Sequence, residues 1–394
     1  MMDDKKIELL HKIEELAPTY YEISDFICDH PELGYQEFQS SAALEDQLEK
    51  AGFAVERGIA EIPTAFKAVY EHGSGGPSFG LLVEYDALEG LGHACGHHMQ
   101  GPSLLLCADA FKQVMQDDPY KLVVYGTPAE ETSPAKLYMW ERGCFRDIDL
   151  ALMVHASYET ACDLNSLAKV TIKVTFHGKN AHAAMFPEIG RSAFDALLLT
   201  FQGVEFLREH VTEDVRMHYT CLDAGGQENV VPSHAVGNFT LRSRYSLKNL
   251  NAIKERFFDI VKGAALMSGV TYEIEEGETW PNKIPAVELN KIILRNAEEI
   301  GCPDIAPPRE RPGSTDFSAV MYHIPGCNLR IKYVDKPVKS HTPAFAAAGK
   351  TDMAHRSILL CSQAIAGTCY DILRDPSLMT KIKEDYAKTR ETYE

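Results

Sequence analysis

The chain has 394 residues, 45% of them hydrophobic and 24% charged, with a formal net charge of −18. That length exceeds one ordinary core and implies two domains of a soluble globular protein. The acidity and the lack of any Lys/Arg cluster exclude nucleic acid as an expected partner, and no apolar run is long enough to suggest a membrane span.

The opening MMDDKKIELLHKIEEL is charged and amphipathic and predicts a helix rather than a secretory signal. SAALEDQLEKAG has helical apolar spacing, with Ser40 or Ser41 as its cap and Gly52 as its stop. TAFKAVYE, PSFGLLVEY, KLVVYG and DLALMVH then predict strands, the helical GPSLLLCADAFKQVM falling among them. Such alternation predicts an α/β catalytic domain with a mixed sheet flanked by helices. From AKVTIKVTFH (168–177) the rhythm changes to strand, helix (191–209), two strands (VRMHYTCLD and HAVGNFTLRSRY), helix (250–267) and strand (VTYEIEE). This βαββαβ order is that of a smaller ferredoxin-like α+β domain. A helix over 286–300, a Pro-rich loop APPRERPG, the strand CNLRIKY and a long helix after Gly349 complete the first sheet. The expected division is 1–167 and 283–394 for the catalytic domain and 168–282 for the insert.

Ten cysteines are scattered without regular spacing, which reads as reduced cytoplasmic thiols, with Cys107 and Cys361 in helical apolar patterns as core residues. Chemistry concentrates elsewhere. Cys95 and His97 in HACGHH, the pair Glu130-Glu131 in GTPAEE and His155 in LALMVH sit where strand-like runs finish, the end of an α/β sheet where ligands collect. Thiolate, imidazole and carboxylate are ligands for zinc and its first-row neighbours. A second Glu beside a ligand Glu supplies the proton carrier that metal-assisted hydrolysis needs.

EYDAL, GLGHACGHH, GTPAEE, LALMVH, HGKNAHA, ENVVP, GSTDFS and HTPAF resemble, in order along nearly the whole chain, the motifs of the aminoacylase/carboxypeptidase metallopeptidases, above all their amidohydrolase branch. The resemblance implies two divalent metal ions bridged by Cys95, with His97, Glu131, His155 and His341 completing their shells. It implies Glu130 as general base. It gives His182 of the inserted domain the oxyanion, reached across a homodimer, and gives Asn229 and Arg242 the carboxylate or carbonyl of a small-molecule substrate. Closure of the insert as a lid would hinge near 165–168 and 280–285. Asp86 has two readings, a turn-capping residue or the carboxylate that orients a ligand imidazole. Glu84 receives no role, and His98 departs from the Asp or Asn often found after Cys-Gly-His. Ser314 and Asp316 of GSTDFS are expected near the pocket mouth, capping a loop or touching substrate.

The expected activity is hydrolysis of the amide of an N-acyl amino acid or dipeptide-like substrate with a free carboxylate, a dipeptidase being the near alternative. A thiol hydrolase using Cys95 as nucleophile has no use for the Glu pair. A catalytically silent binding relative is the further alternative, against which stands the presence of every expected ligand and the base. Zinc or cobalt suits a thiolate bridge, with manganese also allowed.

Overall fold

A computed structural model describes residues 2–244, 246–308 and 313–393, so part of APPRERPG lies outside the described residues. The chain divides into two compact units, Met1–Asn165 with Lys283–Thr392, and Ser166–Asn282 with Tyr393–Glu394. In the first unit helices α1 (Asp4–Asp29) and α2 (Phe38–Lys50) precede strands β1 (Ala54–Arg57), β2 (Phe66–His72) and β3 (Ser78–Val83). Helix α3 (Gln100–Val114), β4 (Tyr120–Gly126), α4 (Ala135–Glu141), β5 (Leu150–Ser157) and β6 (Ala161–Cys162) follow. The second unit runs β7 (Ala168–His177), α5 (Ala193–Arg208), β8 (Arg216–Asp223), β9 (His234–Ser243), α6 (Leu247–Ser268) and β10 (Thr271–Glu276). The chain then completes the first unit with α7 (Val287–Glu299), α8 (Ser318–Met321), β11 (Gly326–Lys332), α9 (Pro343–Ala347), α10 (Asp352–Arg374) and α11 (Pro376–Tyr393).

The first unit is built on a mixed seven-stranded sheet of order β1-β2-β4-β3-β5-β11-β6. Its centre is parallel: β4, β3, β5 and β11 run together, while β1, β2 and β6 pair antiparallel at the flanks. Every residue of β3 is buried, as expected of a parallel strand covered on both faces. Helices α1, α3 and α10 pack on one another, and α3 and α10 also pack on the central strands. Leu82, Val123, Tyr125, Ala151 and Met153 share a core cluster with Ala135 and Met139 of α4 and Val320 and Met321 of α8. Cys107 and Cys361 are buried within α3 and α10.

One expected cap is placed differently. Helix α2 begins at Phe38, so Ser40 and Ser41 lie inside it. The Glu32 carboxylate accepts from the backbone N–H groups of Gln39 and Ser40 at 2.9 to 3.0 Å, satisfying first-turn donors from a preceding loop instead of from a cap residue. The long-range carboxylate outcompetes the local hydroxyls because an ionised acceptor bonds more strongly.

The second unit is an antiparallel sheet of order β10-β7-β9-β8 with α5 and α6 packed together and against β7 and β9. Val170, Ile172, Val174 and Phe176 alternate inward along β7 and meet Leu197, Val204, Phe257 and Val261 of the helices. Ser192 and Ser246 cap α5 and α6 by accepting from Asp195 and Asn249 N–H.

Candidate metal centre

The carboxyl ends of the four parallel strands carry the predicted donors. Glu84 and Asp86 follow β3, and the connection into α3 bears Cys95 and His97. Glu130 and Glu131 follow β4, His155 lies near the end of β5, and His341 follows β11. Three turns bend the chain sharply enough to bring these together. Gly96, between two of the donors, has φ 85°, and a Cβ there would fall 2.5 Å from the Ala156 Cβ, so both conformation and space demand glycine. Ala129 (φ 60°) and His341 (φ 63°) adopt the left-handed region without that excuse. Each is pinned: the Ala129 N–H donates to Glu37 Oε1 at 2.8 Å, and the His341 N–H to the Ala94 carbonyl at 2.8 Å.

The donor atoms fall into overlapping groups, each with members within 4.8 Å of one another: Cys95, His97 and His155; Cys95, Glu131 and His341; and His97, Glu130 and Glu131. Cys95 belongs to two of them, which is the arrangement a bridging thiolate requires. Its Sγ lies 3.5 Å from His155 Nε2. Hydrogen bonds fix both buried imidazoles in one tautomer. His97 Nδ1 donates to Asp86 Oδ1 at 2.9 Å, and His155 Nδ1 donates to the Ala156 carbonyl at 2.9 Å, so that each ring, in its neutral form, turns an Nε2 lone pair to the site. Asp86 also accepts from the Glu131 N–H through its other oxygen, at 2.9 Å. It therefore couples two donors.

Two buried atoms, His97 Nε2 and Glu131 Oε1, have no hydrogen-bond partner among the described residues. Glu84 Oε2 lies 3.4 Å from the first and His341 Nε2 3.2 Å from the second. Buried polar atoms left without a partner are costly unless a bound group satisfies them. This donor set fits divalent cations. Burial pushes the Cys95 thiol up to about 12 and, with the Arg330 and His97 charges, holds His155 down at about 3.

Beside the donors lies an ionic cluster that spacing did not reveal. Lys136, at the start of α4 and fully buried, donates to Glu84 Oε1 at 2.6 Å and to Asp316 Oδ1 at 2.7 Å. Gln100 donates to the other Glu84 oxygen at 2.8 Å. Asp316 also accepts from the Lys136 N–H, so it is buried deep beside α4 and not at a pocket mouth. The expectation for Asp316 fails because its partner lies far away in sequence. Burial would raise Glu84, but Lys136 and His97 hold it at about 2. Glu130, close to Glu84 and Asp316, is pushed well above the usual carboxylate range by burial and by those two charges. His98 Nε2 donates to the Gly349 carbonyl at 3.0 Å. His93 packs against the His98 ring, and burial lowers its basicity.

In the second unit His182 is exposed, and its Nδ1 accepts from the Ala184 and Met185 N–H groups at 3.2 Å, so neutral His182 carries its proton on Nε2. The Asn229 segment lies alongside, its carbonyl accepting from the Ala183 N–H at 3.0 Å. Arg242 is on β9, opposite Arg216 of β8 and Lys169 of β7.

Comparison with known proteins follows the same lines. The profile of Peptidase family M20/M25/M40 matches residues 80–356. Xaa-Arg dipeptidase of Homo sapiens is 30% identical over 97% of this chain and 92% of its own length. A p-aminobenzoyl-glutamate hydrolase chain of Escherichia coli (strain K12) is 29% identical over 96% of this chain and 94% of its own length. Among solved structures, the YXEP protein of Bacillus subtilis, described as a dinuclear metal-binding peptidase from the M20 family, superposes with a TM-score of 0.71 at 18% identity, covering 92% of this chain and 99% of its own.

Proposed function

The chain belongs to peptidase family M20/M25/M40, and from that premise we propose how its residues share out the hydrolysis of an amide bond. It is a metal-dependent amidohydrolase acting on dipeptide-like or N-acyl amino acid substrates. The reading of its site rests on one observation: Cys, His and carboxylate donors gathered around the buried Cys95 and His97, two of their polar atoms orphaned, with a neighbouring carboxylate, Glu130, able to hold a proton.

In this reading Cys95, His97, Glu131, His155 and His341 would hold two divalent ions, and the thiolate would favour zinc over cobalt or manganese. When bound, the ions polarise the scissile carbonyl and acidify the attacking water. Glu130 accepts the proton of that water and delivers it to the departing nitrogen. Asp86 and the Ala156 carbonyl keep the imidazoles of His97 and His155 in their ligating tautomers. His182, reaching the site of the other copy across the homodimer, donates from Nε2 to the oxyanion, a role in keeping with neutral His182 carrying its proton on that nitrogen. Asn229 and Arg242 hold the substrate's carboxylate or carbonyl, a guanidinium being well matched to a carboxylate.

The working form in this reading is a cytoplasmic homodimer, paired along β8. That strand ends its sheet, and Tyr219, Cys221 and Leu222 lie exposed on it, an arrangement that a second copy would cover. All ten cysteines are free, in keeping with a reducing compartment. Among the described residues no helix is long and apolar enough to cross a membrane.

Replacing the base tests the mechanism directly. Glu130→Gln should lower kcat by about 10²- to 10⁴-fold with metal content, read by elemental analysis, unchanged. Full activity in that variant, or activity in the parent that survives removal of metal by a chelator, would refute it.

A further inference from the structure

One cation beside the donor set takes no part in the reactions above. Arg330 lies on β11 and pairs in register with His155 on the adjacent parallel strand β5. Partners in register send their side chains to the same face of a sheet from strands about 4.8 Å apart, so Arg330 emerges next to a metal-site imidazole. On its other side β11 pairs antiparallel with β6, placing Ala161 opposite Arg330. Asp163, two residues on, therefore shares that face as the diagonal neighbour. Its carboxylate accepts from Arg330 Nε with both oxygens, at 2.8 and 2.9 Å. One row across the sheet thus holds a candidate ligand, an arginine and the arginine's anchor.

The anchor engages only one of the three guanidinium nitrogens. Among the described residues, neither terminal nitrogen of Arg330 has a hydrogen-bond partner, and neither is a fully buried orphan, since the side chain is 16% exposed. Burial works against the charge, yet Asp163, with Cys95 and Glu130 acting from the site, raises the pKa above its ordinary value. A guanidinium held by Nε presents its two outer N–H groups as a fixed fork, the geometry that grips a carboxylate through two parallel hydrogen bonds.

We propose that Arg330 is a substrate-binding residue that receives a second carboxylate of the substrate, in addition to the one adjoining the scissile amide. The inference rests on the amide-hydrolysis reading above and narrows it to dianionic substrates, whose extra carboxylate is carried either by the amino acid side chain or by the acyl group. A substrate with a basic side chain would meet a like charge there.

The test compares charged and isosteric neutral substrates on the metal-reloaded protein: N-acetyl-glutamate against N-acetyl-glutamine for the side chain, and N-succinyl-alanine against N-valeryl-alanine for the acyl group. In at least one pair kcat/KM for the anionic member should exceed that of the neutral one by about a hundredfold, the scale of a desolvated, hydrogen-bonded charge pair. Arg330→Met should erase that preference while changing the neutral member's kcat/KM only a few-fold. Equal rates within both pairs would overturn the inference while leaving amide hydrolysis standing, and so would an equal loss in Arg330→Met for charged and neutral substrates alike. No hydrolysis of any of the four would instead remove the underlying reading, and this inference with it. Should Arg330→Met fail to fold, the parent protein's ratios decide by themselves.

Discussion

At His97 and His155 one side of the ring decides what the other can do, because donation from Nδ1 leaves Nε2 as a lone pair in the neutral imidazole. Glu37 shows the same economy at a carboxylate. Buried behind the GTPAEE turn, it accepts from Ala129 N–H and from the Thr64 hydroxyl. Burial, with the Asp86 charge adding to it, still raises its pKa to about 7. The folded value lies above the unfolded one, so the stabilisation from a protonated Glu37 is complete below about pH 4.5 and is lost as pH rises through about 7, on the order of 3 kcal/mol in all. Thermal midpoints of the metal-free protein should therefore fall across that window, and Glu37→Gln should flatten the decline. Parallel curves for the two proteins would acquit Glu37. Its place in the chain, just before a helix, carries no hint of this burial.

Between elements, Lys136 ties α4 to the segment after β3 and to the turn before α8 through Glu84 and Asp316. A buried cation shared by two carboxylates adds little net stability when intact, but removing it strands two buried charges. Lys136→Met should cost about 3 to 5 kcal/mol in urea unfolding. Adding Glu84→Gln to that variant should recover part of the loss, because the two residues act as a unit. A Lys136→Met protein as stable as the parent would show that the cluster is not a tie. The longer strands and helices were legible from their apolar patterns, alternating where one face is buried, as in β7, and continuous where both are, as in β3. The cluster was not: Lys136 and Asp316 lie far apart in sequence, and no local pattern marks a lysine that is to be buried. The cap of α2 was misread for the same reason, because Glu32 reaches it from a loop.

For the whole molecule, the homodimer proposed above pairs copies along the sheet edge at β8. Leu222, 57% exposed on that edge, would be buried by strand pairing between two chains. Leu222→Lys should shift the mass measured by light scattering from two chains towards one. A single-chain mass for the parent protein would rule out pairing along β8. Each unit closes its own core, so the variant should retain its thermal midpoint within a few degrees, surface substitutions being worth about half a kcal/mol.

The sequence by itself determined the two kinds of sheet and the identity of the candidate donors. Strand and helix periods are local properties, and thiol, imidazole and paired carboxylates announce their chemistry wherever they fall. Only the tertiary structure decided which lone pairs face inward, that Asp86 serves both His97 and Glu131, and that Lys136 and Arg330 stand beside the donors. Those outcomes depend on the register of strands and on turns such as that at Gly96, which bring together side chains from residues as distant as Glu84 and His341. Contacts of that range are set by packing of the whole sheet and leave no periodic trace along the chain.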